Sequence, residues 1–228
     1  MLFAVRGGSD SVRIVLALTV GVTGVLAALP ALAQQAPPSP NAGVQATAEI
    51  CGNCVDDDGD GLTDFEDPAC CADRQIFPMA IDRGRIHPHG QTSRLGLESL
   101  LAAQGLADVN PRREDVFLQI RAERGDEVFC ASVPAGRFVA KRPGVFRFRD
   151  HNHRVETAGG IDRLVVRIAG DGSVRFRACA RQAEFTSPRD GLLTVTISFR
   201  DPLAAESGNR CSTAQELHTN RRGALRVP

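Results

Sequence analysis

The chain has 228 residues, 27 of them basic and 27 acidic, and contains neither Trp nor Tyr. That length suits one ordinary domain with short additions. The missing Trp and Tyr argue against the stacked-ring platforms on which sugar-binding sites usually rest.

Arg6 and Arg13 precede an apolar stretch over 14–29, and Ala31-Leu32-Ala33 follows with the small-x-small pattern read by signal peptidase. Residues 1–33 are therefore expected to be a signal peptide, cut after Ala33. The stretch is short for a membrane span, is interrupted by Gly21 and Gly24, and ends at Pro30. The mature chain is expected to be secreted, to the periplasm or beyond the cell, with no transmembrane segment. Residues 34–48 hold Pro37, Pro38 and Pro40 among Gln and Ala, with no periodicity, and read as a linker.

The zero net charge hides an asymmetry. Residues 34–73 carry nine carboxylates and no Lys or Arg, whereas the chain from Arg74 onward has 25 basic and 17 acidic residues. Most of those carboxylates fall in one run, Asp56-Asp57-Asp58-Gly59-Asp60-Gly61-Leu62-Thr63-Asp64-Phe65-Glu66-Asp67. Calcium takes six to eight oxygen ligands, and a twelve-residue loop supplies them from positions 1, 3, 5, 7, 9 and 12. Those positions are Asp56, Asp58, Asp60, the Leu62 carbonyl, Asp64 and Asp67. Gly61 stands at position 6, where the turn needs a positive φ. Magnesium fits less well, because it resists dehydration and is rarely held by an all-protein cage.

This spacing resembles the calcium loops of thrombospondin type 3 repeats and dockerins, themselves similar to EF-hand loops. The resemblance covers the loop and its cysteine frame, residues 51–71, and implies a bound Ca²⁺. Asp67 closes the loop where an EF-hand would have Glu. Pro68 follows at once, so no EF-hand exit helix is expected.

Seven cysteines follow the expected cut. Cys51, Cys54, Cys70 and Cys71 bracket the acidic loop. In an exported chain they are expected to form disulfides; adjacent Cys70 and Cys71 suit a tetrahedral zinc site poorly. Cys130 and Cys211 occupy corresponding places in two faintly similar stretches, 115–133 and 191–217, and are expected to pair with each other. Cys179 shares a strand face with arginines and is expected to be exposed and unpaired.

From residue 74 the pattern becomes short alternating runs. Leu193, Val195, Ile197 and Phe199 take one face of a strand, and Thr194, Thr196, Ser198 and Arg200 the other. The run from Val116 to Arg121 behaves alike. Phe146 and Phe148 oppose Arg147 and Arg149. Two further runs, from Leu164 and from Val174, are joined by Gly170-Asp171-Gly172, a hairpin signal. Residues 127–132 and 137–140 add two strands, and 95–106 leans to strand over helix. Residues 74–228 are thus expected to form a mainly β domain, an antiparallel β-sandwich or barrel, preceded by the small disulfide-framed calcium loop at 49–73.

Two patterns bear on function without fixing it. Arg147, Arg149, Arg175 and Arg177 point outward and could bind anions. His87-Pro88-His89 and His151-Asn152-His153 have a spacing that suits a transition metal on a strand, although the second pair reads as a polar turn after a strand. No serine-hydrolase elbow, zincin helix motif or phosphate-binding glycine loop appears. The leading expectation is a secreted calcium-binding structural or binding module without catalysis. Its partner would be an acidic surface polymer or another extracellular protein, and not nucleic acid. The alternatives are an arginine-mediated binder of acidic polysaccharide or lipid headgroups, and a secreted metal-dependent hydrolase.

Overall fold

The computed structural model describes residues 48–71, 76–87, 93–101, 106–122, 127–183, 185, 191–203, 209–221 and 224–227. The expected signal peptide and all but the last residue of the expected linker lie outside them, as does His89. Residues 43–228 form one unit, to which everything below refers.

The described residues contain eleven strands: β1 (Ile76–His87), β2 (Arg94–Leu101), β3 (Asp115–Ala122), β4 (Glu127–Val133), β5 (Val139–Arg142), β6 (Val145–Arg149), β7 (Ile161–Ile168), β8 (Val174–Arg181), β9 (Gly191–Arg200), β10 (Arg210–Arg221) and β11 (Ala224–Val227). Their order is β4-β3-β9-β10-β11-β1-β2-β8-β7-β6-β5. The protein is mainly β, as the alternation requires. The 95–106 stretch is a strand to Leu101. The β7–β8 hairpin turns where the glycines stand, closed by the Ala169 N–H on the Ser173 carbonyl at 2.8 Å.

Strands β1, β10 and β11 do not announce themselves by alternation, yet they make the fold. The start of β1 runs parallel to β10, Ile76 opposite Cys211 and Pro78 opposite Thr213. From Met79 onward β1 is antiparallel to β2, with a bulge between Ile81 and Arg83. One strand therefore belongs to both halves of the sheet and curls it back on itself, and the parallel β1–β10 segment is the exception to the expected antiparallel order. The two inner faces share one core, with Leu118, Ile120, Val195, Ile197 and Phe199 from one half and Leu97, Leu101, Leu164, Val166 and Phe176 from the other.

One face differs from its expected role. Thr196 and Ser198 of β9 and Gln119 of β3 are on the polar side of their strands, yet all three are buried. The acidic segment lies over them. Phe65 meets Phe117 of β3 with ring centroids 4.5 Å apart, and both join a second buried cluster with Cys51, Cys70, Cys71 and Cys211. Phe117, an aromatic residue on an otherwise polar strand face, is the sequence signal for this cover.

Because Phe176 is fully buried between the halves, Phe176→Ala should cost about 3–5 kcal/mol in urea unfolding. Arg175 is exposed, and its contact with Asp82 is 3.4 Å long, so Arg175→Ala should change stability by less than about 0.5 kcal/mol. Comparable losses from the two would contradict this assignment of inner and outer faces.

Candidate metal centre

The acidic loop is held to the β3–β9 face at both ends. Cys51 pairs with Cys70 across its neck, Cys54 with Cys130 of β4, and Cys71 with Cys211 of β10, at Cα separations of 5.5, 5.8 and 6.3 Å. The expected Cys130–Cys211 bond is therefore corrected. The strand order β4-β3-β9-β10 puts two strands between these cysteines. Three inter-strand spacings are about 14 Å, well beyond disulfide reach. Their matching positions mark the two sides of one platform, each tied to the loop. Cys179 is free and half-buried, where full exposure was expected.

Polar contacts complete the seat. Gln119 Nε2 donates to the Thr63 carbonyl at 3.0 Å, Arg121 Nη1 to Gly61 O at 2.6 Å, Arg200 Nη1 to Cys51 O at 2.5 Å, and Asn209 Nδ2 to Cys70 O at 3.0 Å. Gly52, at φ 91, lies so close to the Phe117 ring that a Cβ there would meet it at 2.7 Å.

Within the loop the carboxylates order the backbone. Asp56 accepts the N–H groups of Gly59 (2.7 Å) and Gly61 (3.0 Å), Asp58 that of Asp60 (3.1 Å), and Asp60 that of Leu62 (2.7 Å). Gly61 has φ 92, the left-handed turn expected at position 6. Carboxylate oxygens of Asp58, Asp60 and Asp67 lie within 4.8 Å of one another, and so do those of Glu49, Asp56 and Asp58. Two oxygens each about 2.4 Å from one calcium ion cannot be more than about 4.8 Å apart, so both triads, which share Asp58, have the spacing of a hard-cation cage. Asp67 is only 4% exposed. Its Oδ1 accepts the Ala69 N–H at 2.5 Å, while its Oδ2 is buried without a hydrogen-bond partner.

Of the expected side-chain ligands, Asp58, Asp60 and Asp67 thus come together, and Asp56 stands beside Asp58 in the other triad. Asp64 does not join them. It is fully buried, and its oxygens accept three successive backbone N–H groups, those of Gly52 (2.5 Å), Asn53 (3.0 Å) and Cys54 (2.8 Å). Burial pushes its carboxyl up, and these three hydrogen bonds pull it part of the way back. Asp64 is an anchor for the 51–54 turn and stands in neither triad of loop carboxylates, and its expected place as a ligand is corrected. Glu49 instead completes the second triad: it is buried, bonds the Asp57 and Asp64 N–H groups at 2.8 and 2.7 Å, and lies beside Asp56 and Asp58. It lies ahead of the twelve-residue frame, which is why spacing alone missed it. The sulfurs of Cys54 and Cys130 near Asp64 are bonded to each other and offer no thiolate to a metal.

A second carboxylate, Glu66, turns inward from the loop and pairs with Arg121. Glu127 of β4 is buried near them with neither oxygen hydrogen-bonded. Burial raises the Glu66 carboxyl to about 7, against the pull of Arg121. Burial, reinforced by the charges of Glu66 and Asp64, raises Glu127 to about 8.

The expected anion-binding arginines do gather. Cross-strand register sets Arg147 opposite Val165, which faces Arg177, and Arg149 opposite Arg163. Arg167 stands directly opposite Arg175. Arg147, Arg149, Arg175 and Arg177 therefore occupy one side of β6–β7–β8, joined by Arg163 and Arg167.

The fold and these contacts define a class: a disulfide-pinned β protein with an acidic loop clamped on one sheet face. Against known protein families, curated proteins and solved structures, the chain finds no match.

The raised Glu127 has a consequence for stability. Its carboxyl takes up a proton at about pH 8 in the folded chain and near 4.5 when unfolded. Its contribution to stability is thus complete below about pH 4.5 and is lost as the pH rises to about 8. With calcium held constant, the urea midpoint should fall across that window. Glu127→Gln, neutral throughout, should flatten the fall and exceed the parent above pH 8. Identical pH profiles for the two proteins would contradict this.

Proposed function

We propose that the protein is an exported calcium-binding module in which the ion stiffens the acidic loop on the β3–β9 face. The observation that carries this reading is the buried, unpartnered Oδ2 of Asp67 beside Asp58 and Asp60. A buried charged oxygen without a donor is costly, and a cation in the loop removes that cost and the mutual repulsion of the aspartates. The proposed ligands are Asp56, Asp58, Asp60, Asp67 and Glu49, with the Leu62 carbonyl. Three disulfides favour an oxidising compartment outside the cytoplasm. No helix among the described residues is long and apolar enough to cross a membrane.

Calorimetry on the oxidised chain should give one Ca²⁺ with a dissociation constant on the order of 10⁻⁴ M or tighter, as in other extracellular modules. Asp67→Asn and Asp56→Ala should each weaken it by more than about tenfold, a loss of more than about 1.4 kcal/mol. Equal heats in parent and variants would defeat the reading.

A second reading concerns what the module binds. Like charges directly opposite on neighbouring strands destabilise a sheet by roughly 0.2–1 kcal/mol per pair. Arg167 faces Arg175 and Arg149 faces Arg163 in this way, which favours an acidic polymer as the neutralising partner. Arg83 and Arg85 of β1 are also exposed on this side, separated from β8 by Glu98 and Gly96 of β2. Binding of polygalacturonate should fall steeply between 50 and 200 mM salt, over which the Debye length shrinks from about 14 to about 7 Å. It should be lost in the fourfold variant Arg147→Ala, Arg149→Ala, Arg175→Ala, Arg177→Ala with little change in melting temperature. Salt-independent binding, or binding that survives in the variant, would remove this partner; capture only by anionic vesicles would reassign it to lipid headgroups.

A further inference from the structure

The outer face of β1, β2, β8 and β7 holds a glycine that the fold does not require. Gly96 stands inside β2, where a glycine weakens a strand. It marks no bulge: its pairings with Arg85 of β1 and Cys179 of β8 lie within unbroken stretches of register. Its φ is not positive, and a Cβ built on it would meet nothing within 4 Å. Neither backbone conformation nor a crowding neighbour therefore forbids a side chain. The reason left for a glycine inside a strand is the close approach of something from outside the sheet.

The surroundings say what that is. Gly96 and Cys179 lie side by side and make a floor with no side chain longer than a thiol. Along the same row Arg85 of β1 ends the floor on one side and Arg163 of β7 on the other, with Arg149 of β6 beyond. The bulge at Asp162 is what sets Arg163 opposite Cys179. The backbones of Arg85 and Arg163 are three strand spacings apart, about 14 Å. Two residues along in either direction, the neighbouring rows hold Arg94 opposite Arg181, and Glu98 opposite Arg177.

Five arginines, Arg85, Arg94, Arg163, Arg177 and Arg181, thus surround the floor against the single carboxylate of Glu98. All but Arg163 are exposed. Among the described residues the arginines held in ion pairs are Arg121, Arg175 and Arg210, so none of the five is neutralised, by Glu98 or otherwise.

We propose that the Gly96–Cys179 floor seats one sugar unit of an acidic polysaccharide whose chain runs across the strands, from Arg149 to Arg85. This rests on the reading of the arginine face as an anion binder given above, and it places the polymer on that face. Guanidinium groups pair bidentately with carboxylates, and the arginines at both ends of the row meet the acid groups of successive units. The glycine lets the ring between them approach the sheet. Recognition is by charge, since the chain has no Trp or Tyr to stack on a sugar. A lipid surface would call for apolar side chains that enter it. The exposed large apolar residues of the described chain are Ile50, Val55, Val139 and Leu203, and none lies on these four strands.

Cys179 reports on the floor directly, because the other six cysteines are in disulfides. In the oxidised full chain, polygalacturonate should slow alkylation of Cys179 by neutral iodoacetamide in proportion to its occupancy. The protection should vanish in ~1 M salt, where the Debye length is ~3 Å. Gly96→Leu, which fills the floor, should keep the parent's melting temperature and weaken polymer binding by more than about tenfold. Cys179→Ser, which leaves the floor open, should bind as the parent does. Binding that is lost in the fourfold arginine variant but unchanged in Gly96→Leu, with Cys179 unprotected, would overturn the seat and leave the arginine face standing. Salt-independent binding to the parent, or none, would remove the face and the seat together. Should Gly96→Leu lower the melting temperature, protection of Cys179 in the parent decides alone, and its absence overturns the seat.

Discussion

The structure depends on a strap: the acidic segment tied to β4 by Cys54–Cys130 and to β10 by Cys71–Cys211. These bonds span 76 and 140 residues of sequence, and closing loops of that order restricts the unfolded chain by about 4–5 kcal/mol for each bond taken alone. The segment has little apolar surface of its own. Phe65 is its one deeply buried aromatic residue, and that residue needs Phe117 of the sheet to cover it. Covalent ties therefore do for this segment what a core does for the sheet. They also fix which side of β3 and β9 is covered, so that Gln119, Thr196 and Ser198 become interior residues.

Under the strap the chain buries charge, and each carboxylate is treated differently. Asp64 is surrounded by three backbone N–H groups, a concave nest suited to an anion. Glu66 is paired with Arg121, whose guanidinium also reaches the Gly61 carbonyl in the turn of the loop. Glu127 has no such partner, and its carboxyl is driven up to about 8. The same segment thus holds a row of aspartates in its loop and carboxylates facing inward toward the sheet. Arg121 bonds both the inward Glu66 and the Gly61 carbonyl in the turn of the loop, which couples the loop's conformation to β3.

The two halves of the sheet put their outer faces to different uses. One is closed by the strap. The other carries arginines in adjoining register positions on β6, β7 and β8, and the bulge at Asp162 interrupts this alternation to turn a carboxylate toward the histidine turn. Polar side chains therefore gather twice in places where regular strand geometry fails: carboxylates in the glycine-punctuated loop, and Asp162 beside His151 and His153 at the bulge.

Local pattern was enough for part of this. The period-two runs determined the strands around Val116, Phe148, Val166, Phe176 and Ile197 and the faces they bury, because a strand's alternation is a property of consecutive residues. The positions of Asp56, Asp58, Asp60, Gly61 and Asp67 likewise determined their grouping, since a twelve-residue loop is closed by its own turns. Partners distant in the chain were decided only by the tertiary structure. Their matching places in two faintly similar stretches suggested Cys130 with Cys211, but strand order set two strands between them and gave each to the loop. Asp64 fits the ligand frame by number, yet the turn at 51–54 surrounds it; Glu49, outside the frame, is held beside Asp56 and Asp58 by the Asp57 and Asp64 N–H groups. His151 and His153 read as a polar turn until a bulge on another strand aimed Asp162 at them. In each case the deciding contact joins residues whose proximity depends on sheet order, which no local period encodes.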